Sequence, residues 1–311
     1  MEIDADSATF LYVHGAGNKP PEGDLKRAWD EDLFERDMGE RTRMVYYADL
    51  LHDHPAAIAA DACGTGGALG ALVSDAFADT ALVEDTQVRE TFGKMTPDGQ
   101  EFALALTISM AARAASTTGF APTAGTTGFA PTAVARPAAG VAALLPLPAP
   151  LRRLLLRQLL SHLIPDANGY FFTGARDRIR DRLRRALGAV NGPVVVISHS
   201  LGTVVAYDVL SEAGSARKEV PLFITLGSPL GYTEIQDVIT RPLKVPVPVR
   251  LWTNFADPLD LVTLDTTLAD DFRTGAKVIA DIAMDNPSPN NHASCGYLRS
   301  RRVREAVAEA T

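Results

Sequence analysis

The sequence predicts an α/β protein in which a mostly parallel sheet is flanked by helices and interrupted by one large helical insertion. Short, continuously apolar runs alternate with helix-like segments, and this alternation predicts the sheet. A change of composition across residues 55–170 predicts the insertion. The chain has 311 residues, of which 46% are hydrophobic and 22% charged. These values fit one large domain with an insertion and exclude global disorder.

The first part of the chain predicts two strands. Residues 9–13 form a short apolar run that ends at His14 and Gly15, and residues 43–47 form a second run. The acidic N-terminus lacks the basic and apolar regions of a secretory signal. We therefore expect a cytoplasmic protein.

Residues 55–170 are rich in Ala, Gly, Thr and Leu and contain no convincing strand. We expect them to form a helical cap, or lid, with helices over 101–115 and 151–163. The segment Thr-Thr-Gly-Phe-Ala-Pro-Thr-Ala occurs twice within 117–133, which predicts a mobile loop lengthened by duplication. The second of these helices carries arginines among its leucines, a pattern that also occurs in helices that lie on a membrane surface. Membrane contact is therefore an alternative for this helix, but we favour its docking on the core domain.

The last part of the chain alternates helices and strands. The predicted strands are 194–197, 222–226, 247–255 and, less regularly, 277–284. The predicted helices are 176–187, with Ile179, Leu183, Ala186 and Leu187 on one face, 204–210 and 299–310. Residues 1–54 and 171–311 are therefore expected to form one core domain that the insertion 55–170 interrupts.

The segment from Ile197 to Thr203 joins a buried strand to a helix, and Ser200 stands at the turn between them. A serine among small residues in this position is typical of a nucleophile elbow. The turn strains the serine backbone and projects Oγ above the sheet. The helix that follows offers N–H groups and the positive end of its dipole to a developing anion.

This turn resembles the elbow of a known family. Ser-His-Ser-Leu-Gly at 198–202 resembles the Gly-His-Ser-Leu-Gly elbow of α/β-hydrolase lipases and esterases, with Ser198 in place of the first glycine. The resemblance covers residues 9–51 and 171–310 and implies the α/β-hydrolase fold. The insertion resembles no cap that we can name.

The loop after the first strand adds to the resemblance. His-Gly-Ala-Gly at 14–17 is similar to the family's oxyanion loop. The resemblance implies an oxyanion hole in which the backbone N–H of Ala16 joins that of Leu201.

The resemblance also implies a base and an acid. Ser200, Asp260 and His292 follow one another in the Ser, Asp, His order of the α/β-hydrolases. His292 would take the proton of Ser200, and a carboxylate would hold the imidazole in the required tautomer. Asp260 is preferred because Leu-Val follows it, similar to the D-x-V pattern of the family. Asp257 remains the alternative acid.

The activity implied is that of a serine esterase, which cleaves carboxylic esters through an acyl-Ser200 intermediate without a metal or an organic cofactor. The expected substrate is a small-molecule ester, most simply one with a hydrophobic acyl group. A non-catalytic interaction protein on the same scaffold, an acyltransferase or a thioesterase are the alternatives. The net charge of −8 argues against a general nucleic-acid binder.

Several other residues invite a functional interpretation that their context does not favour. Histidines in the segment 52–54 could be metal ligands, but they lack a third partner, so a solvated loop is the better interpretation. Cys63 and Cys295 are too few for a disulfide framework or a zinc site. His14 and His199 are expected to shape the oxyanion loop and the elbow rather than to carry protons.

Overall fold

The computed structural model describes residues 8–57, 94–100, 102–103, 106, 164–258, 260, 262–263, 266–286, 288 and 291–309. The strands in these residues are β1 (Thr9–Val13), β2 (Thr42–Val45), β3 (Val194–His199), β4 (Val220–Leu226), β5 (Val249–Ala256) and β6 (Val278–Ala283). The α-helices are α1 (Glu22–Phe34), α2 (Ile164–Phe172), α3 (Ala175–Gly188), α4 (Leu201–Leu210), α5 (Thr233–Val238), α6 (Ser294–Leu298) and α7 (Arg301–Glu309). Short 3₁₀ helices span Gly39–Arg41, Ala48–Leu50, Ala213–Arg217 and Pro229–Gly231.

The six strands form one sheet in the order β2-β1-β3-β4-β5-β6, and every neighbouring pair is parallel. This confirms the predicted α/β class and its parallel sheet. All six predicted strands are present: β1 has the predicted ends, and the ends of the other strands differ by at most two residues from the predicted ones. β3 and β4 are buried at every residue, as expected for central strands covered on both faces.

The core lies on both sides of the sheet, because successive side chains of a strand point to opposite faces. In β1, Leu11 and Val13 pack with α2, α3 and α4, whereas Phe10 and Tyr12 pack with α1, α6 and α7. The predicted amphipathic helix 176–187 is confirmed as α3, whose apolar face is buried against the sheet.

Helix α1 was not predicted. Its buried apolar residues are Leu25, Trp29 and Leu33, spaced four apart, with charged residues between them. This stripe is too narrow to stand out among the charged residues of the segment. Pro21 precedes the helix and leads the chain into it.

Most of the predicted insertion, including 58–93 and 107–163, lies outside the described residues, and so does the duplicated segment at 117–133. Met95, Phe102, Ala103 and Leu106 are buried in the same core as α2. Helix α2 spans the predicted boundary between residues 170 and 171. In the part of the chain that the structure describes, no helix combines the length and the apolar character needed to cross a membrane.

The order of the strands marks one edge of the sheet as a place for a ligand. From β1 the chain moves to β2 on one side, and it later returns to place β3 on the other side. The loops that leave the carboxyl ends of β1 and β3 therefore diverge. Such a point, where the strand order reverses, leaves a crevice in which parallel α/β sheets commonly bind ligands.

Candidate functional site

Ser200 lies at this crevice, in the turn between β3 and α4. Its φ of 52° and ψ of −129° place a non-glycine residue at positive φ, a conformation that is costly and has to be held by its surroundings. The N–H of Ser200 donates to the carbonyl of Leu226 at 3.0 Å. Its own carbonyl accepts from Thr203, through the backbone N–H at 2.9 Å and the side-chain hydroxyl at 2.7 Å.

Glycines let the elbow approach the neighbouring strand. A Cβ on Gly202 would lie 2.3 Å from the carbonyl oxygens of both Val13 and His14, so no larger residue fits there. A Cβ on Gly15 would lie 2.7 Å from the Cβ of Ser200. The loop after β1 therefore passes directly beside Ser200.

Ser198 stands where the family motif has its first glycine. Its side chain is buried, and its hydroxyl donates to the carbonyl of Ile224 on β4 at 2.8 Å. A small polar side chain is thus accommodated in the sheet because a carbonyl oxygen satisfies it.

His292 lies in the loop between β6 and α6. Its Nε2 lies 2.9 Å from Oγ of Ser200, although 92 residues separate the two in the chain. Its Nδ1 lies 2.8 Å from Oδ2 and 3.0 Å from Oδ1 of Asp260. The three side chains predicted from the sequence therefore form one continuous hydrogen-bonded chain.

Asp260 is only 2% exposed. Burial alone raises the pKa of its carboxyl group, but His292, the hydroxyl of Tyr297 and the backbone N–H of Val262 outweigh burial and hold the pKa below its usual value. The carboxylate is therefore ionised at neutral pH. Gly227 makes room for this pair, since a Cβ there would lie 2.8 Å from Oδ2 of Asp260 and 3.2 Å from Nδ1 of His292.

The alternative acid, Asp257, has different partners. Its Oδ2 accepts from the backbone N–H of Asn286 at 2.7 Å and from Nδ2 of Asn291 at 3.0 Å. The side chain of Asn286 in turn donates to the carbonyls of Asn291, at 2.8 Å, and Ala293, at 2.9 Å. Asp257 thus fastens the loop that carries His292, whereas Asp260 contacts the imidazole itself.

The two proposed oxyanion donors lie at the ends of β1 and β3. Leu201 is the first residue of α4, where backbone N–H groups have no partner within the helix. Ala16 follows Gly15 in the loop beside the elbow. The structure thus brings both segments of the predicted hole to the same side of the sheet as Ser200.

His14 and His199 both bind backbone groups. Nε2 of His14 accepts from the N–H of Tyr47 at 3.0 Å, and the ring stacks on Tyr47 with centroids 4.0 Å apart. Nε2 of His199 lies 2.8 Å from the carbonyl of His292, and the two rings lie 4.7 Å apart. These contacts fit the expected shaping roles.

The sequence interpretation missed three residues of the site: Gly227, Asn286 and Tyr297. No local motif marks the first two. Tyr297 lies on α6, five residues after His292, but nothing in the sequence indicates that its hydroxyl reaches Asp260.

Two of the lesser candidates have specific partners. Nε2 of His52 lies 3.1 Å from Oδ1 of Asp166 on α2. Among the described residues, no group of three or more His, Cys, Asp or Glu side chains is arranged to hold a metal ion. Cys295 on α6 is disulfide-bonded, a bond that the low cysteine count did not lead us to expect and that is rare in the cytosol.

Neither a scan against models of protein families nor a search of curated proteins finds a match to this chain. The functional conclusion therefore rests on the geometry of the chain's own residues. That geometry links a hydroxyl, an imidazole and a buried carboxylate beside the N-terminus of a helix, an arrangement that can activate the hydroxyl as a nucleophile.

Proposed function

We propose that this protein is a serine hydrolase of the α/β-hydrolase type that cleaves carboxylic esters through an acyl-Ser200 intermediate. One observation carries the proposal: Oγ of Ser200, at the strained turn after β3, is hydrogen-bonded to His292, which is hydrogen-bonded to Asp260. A buried, ionised carboxylate, an imidazole and a serine hydroxyl in this order form a catalytic triad. In such a triad the imidazole takes the hydroxyl proton and the carboxylate stabilises the imidazolium that results.

In the first half of the reaction, Oγ of Ser200 attacks the carbonyl carbon of the ester while Nε2 of His292 takes the hydroxyl proton. The imidazole becomes positively charged, and Asp260 stabilises that charge through Nδ1. When the tetrahedral intermediate collapses, the bond to the leaving oxygen breaks and His292 returns the proton to the departing alcohol. The acyl group remains on Ser200.

In the second half, a water molecule attacks the acyl carbon and gives a proton to Nε2 of His292. The bond to Oγ of Ser200 then breaks, the proton returns to Oγ, and the carboxylic acid leaves. The enzyme is restored without a cofactor.

The negative charge of each tetrahedral intermediate needs donors that are in place beforehand. We assign this role to the backbone N–H groups of Ala16 and Leu201. Fixed donors of this kind lower the barrier because they do not need to reorient as the charge develops. The positive end of the α4 dipole adds to their effect.

For the substrate we propose a small-molecule ester with a hydrophobic acyl group, on the strength of the lipase-like elbow and the apolar composition of residues 55–170. A series of p-nitrophenyl esters of increasing acyl length measures this preference directly. A rate that falls steadily from acetate to longer chains contradicts it.

The proposed activity is tested by labelling with a fluorescent fluorophosphonate, which reacts with activated serines. Wild-type protein should be labelled and should hydrolyse the p-nitrophenyl esters. The Ser200→Ala variant should neither be labelled nor hydrolyse the esters, and its circular dichroism spectrum should match that of the wild type. Folded wild-type protein that resists the label would favour a non-catalytic protein on the same scaffold. Labelling with transfer of the acyl group to an added alcohol rather than to water identifies an acyltransferase.

A further inference from the structure

The peptide group between Ala16 and Gly17 is held at both of its polar ends by charged side chains. Nζ of Lys19 donates to the carbonyl of Ala16 at 2.8 Å, and the N–H of Gly17 donates to Oδ2 of Asp166 at 2.7 Å. Lys19 is 1% exposed and Asp166 4% exposed. Hydrogen bonds that involve ionised groups are strong, and exclusion of water strengthens them further.

The preceding peptide group, between Gly15 and Ala16, is held as well. Because Nε2 of His14 accepts from the N–H of Tyr47, Nδ1 carries the proton, and it donates to the carbonyl of Gly15 at 2.8 Å. In a planar trans peptide the N–H points opposite to the carbonyl. The direction of the N–H of Ala16 is therefore set by side chains on both sides of its α-carbon.

Asp166 comes from a distant part of the chain. It lies on α2 and is 149 residues from Gly17. A carboxylate is unfavourable in the protein interior unless donors compensate for the lost water, and here the donors are the N–H of Gly17 and the ring of His52. Its position links the helix at the end of the predicted insertion to the loop beside Ser200.

We propose that Asp166 is a positioning residue for the oxyanion hole: by accepting from Gly17 it fixes the Ala16–Gly17 peptide and so keeps the N–H of Ala16 in the orientation that the tetrahedral intermediate needs. This inference rests on the proposed hydrolase function. Asp166 touches no reacting atom. Its effect should appear after the ester has bound, when the oxyanion forms, and therefore in kcat and not in KM.

Steady-state hydrolysis of a p-nitrophenyl ester and the rate of fluorophosphonate labelling test this role. Asp166→Ala should lower kcat about 10- to 100-fold with KM unchanged, and should slow labelling by a similar factor. Asp166→Asn should recover most of the loss, because its amide oxygen still accepts from Gly17.

Tyr170→Phe is the matched control. Tyr170 is buried on the same helix, and its hydroxyl donates to Asp208 on α4 at 2.8 Å. This variant weakens the attachment of α2 without touching the loop, so kcat should stay within a factor of about two of the wild type.

The outcomes separate this inference from the function on which it rests. A folded wild-type protein that resists the fluorophosphonate overturns the hydrolase function and the inference together. If the wild type is reactive, any of three results overturns the inference alone. Asp166→Ala is labelled as fast as the wild type, its loss of activity lies in KM, or Tyr170→Phe loses as much kcat as Asp166→Ala.

Discussion

The hydroxyl of Tyr297 donates to Oδ2 of Asp260 at 2.8 Å, the same oxygen that binds Nδ1 of His292. The hydroxyl also accepts from the backbone N–H of Asp257 at 3.0 Å. Burial, followed by the neighbouring charge of Asp260, raises the pKa of Tyr297 well above its usual value, so the residue remains a donor. Tyr297 thus helps to keep Asp260 both ionised and oriented toward the imidazole.

Tyr297→Phe should lower kcat about tenfold, because a hydrogen bond to a charged group contributes about 1.5–3 kcal/mol and part of this acts on the orientation of Asp260. Ester hydrolysis measures the loss. Tyr12→Phe is the control, since Tyr12 donates to the buried carboxylate of Asp30 at 2.9 Å, outside the site. An equal loss of kcat in both variants would show that the effect is a general one of stability.

Asp260→Asn should lower kcat about 10⁴-fold, because an amide N–H facing Nδ1 favours the tautomer of His292 that cannot accept the proton of Ser200. Asp257→Asn should cost only about tenfold, since it loosens the loop around His292 without changing the tautomer. Burst and steady-state kinetics of the two variants compare them. The reverse order would assign the acid to Asp257.

Gly202→Ala should destabilise the fold by about 1–3 kcal/mol or more, because the new methyl group would meet the backbone oxygens of Val13 and His14, which cannot move aside as a flexible side chain can. Urea unfolding measures the change. Gly188→Ala is the control: it lies at the end of α3 with nothing within 4 Å of the new methyl group. A Gly202→Ala variant as stable as the control would contradict the close approach of β1 and α4.

Stability should depend on pH through His52. Its hydrogen bond to Asp166 raises the pKa above the ordinary value of 6.5, and the charge of Asp166 adds to the increase while burial opposes it. Because the folded pKa is higher than the unfolded one, the stabilisation is complete below pH 6.5 and is lost as the pH rises through the folded pKa. Urea midpoints across pH 6 to about 8 should fall in the wild type.

His52→Gln should remove this part of the dependence on pH. His54→Gln, a change at an exposed histidine nearby, should keep it. A wild-type slope that survives in His52→Gln would place its origin at another group.

Much of the fold follows from short stretches of sequence. The β-branched run at 194–197 predicts a central strand because it is apolar at every position, and the structure buries each of its residues. The apolar face of α3 is equally plain, since its buried residues recur at helical spacing. Helix α1 was missed because three apolar residues among charges give a weak periodic signal.

The sequence by itself determined that Ser200 stands at a turn between a buried strand and a helix, since both elements are local. It also set the order of Ser200, Asp260 and His292 along the chain. Only the tertiary structure placed Asp260 against the imidazole and Asp257 against the loop backbone. The two carboxylates are three residues apart in one turn, so the sequence alone leaves either of them within reach of His292.

The contact between Asp166 and Gly17 was likewise invisible in the sequence. Local preferences act over a few residues, whereas this hydrogen bond depends on how α2 packs on the core beside β1. Long-range packing therefore decides the hydrogen-bond partners of the oxyanion loop, whereas four consecutive residues, 14–17, are enough to recognise the loop in the sequence.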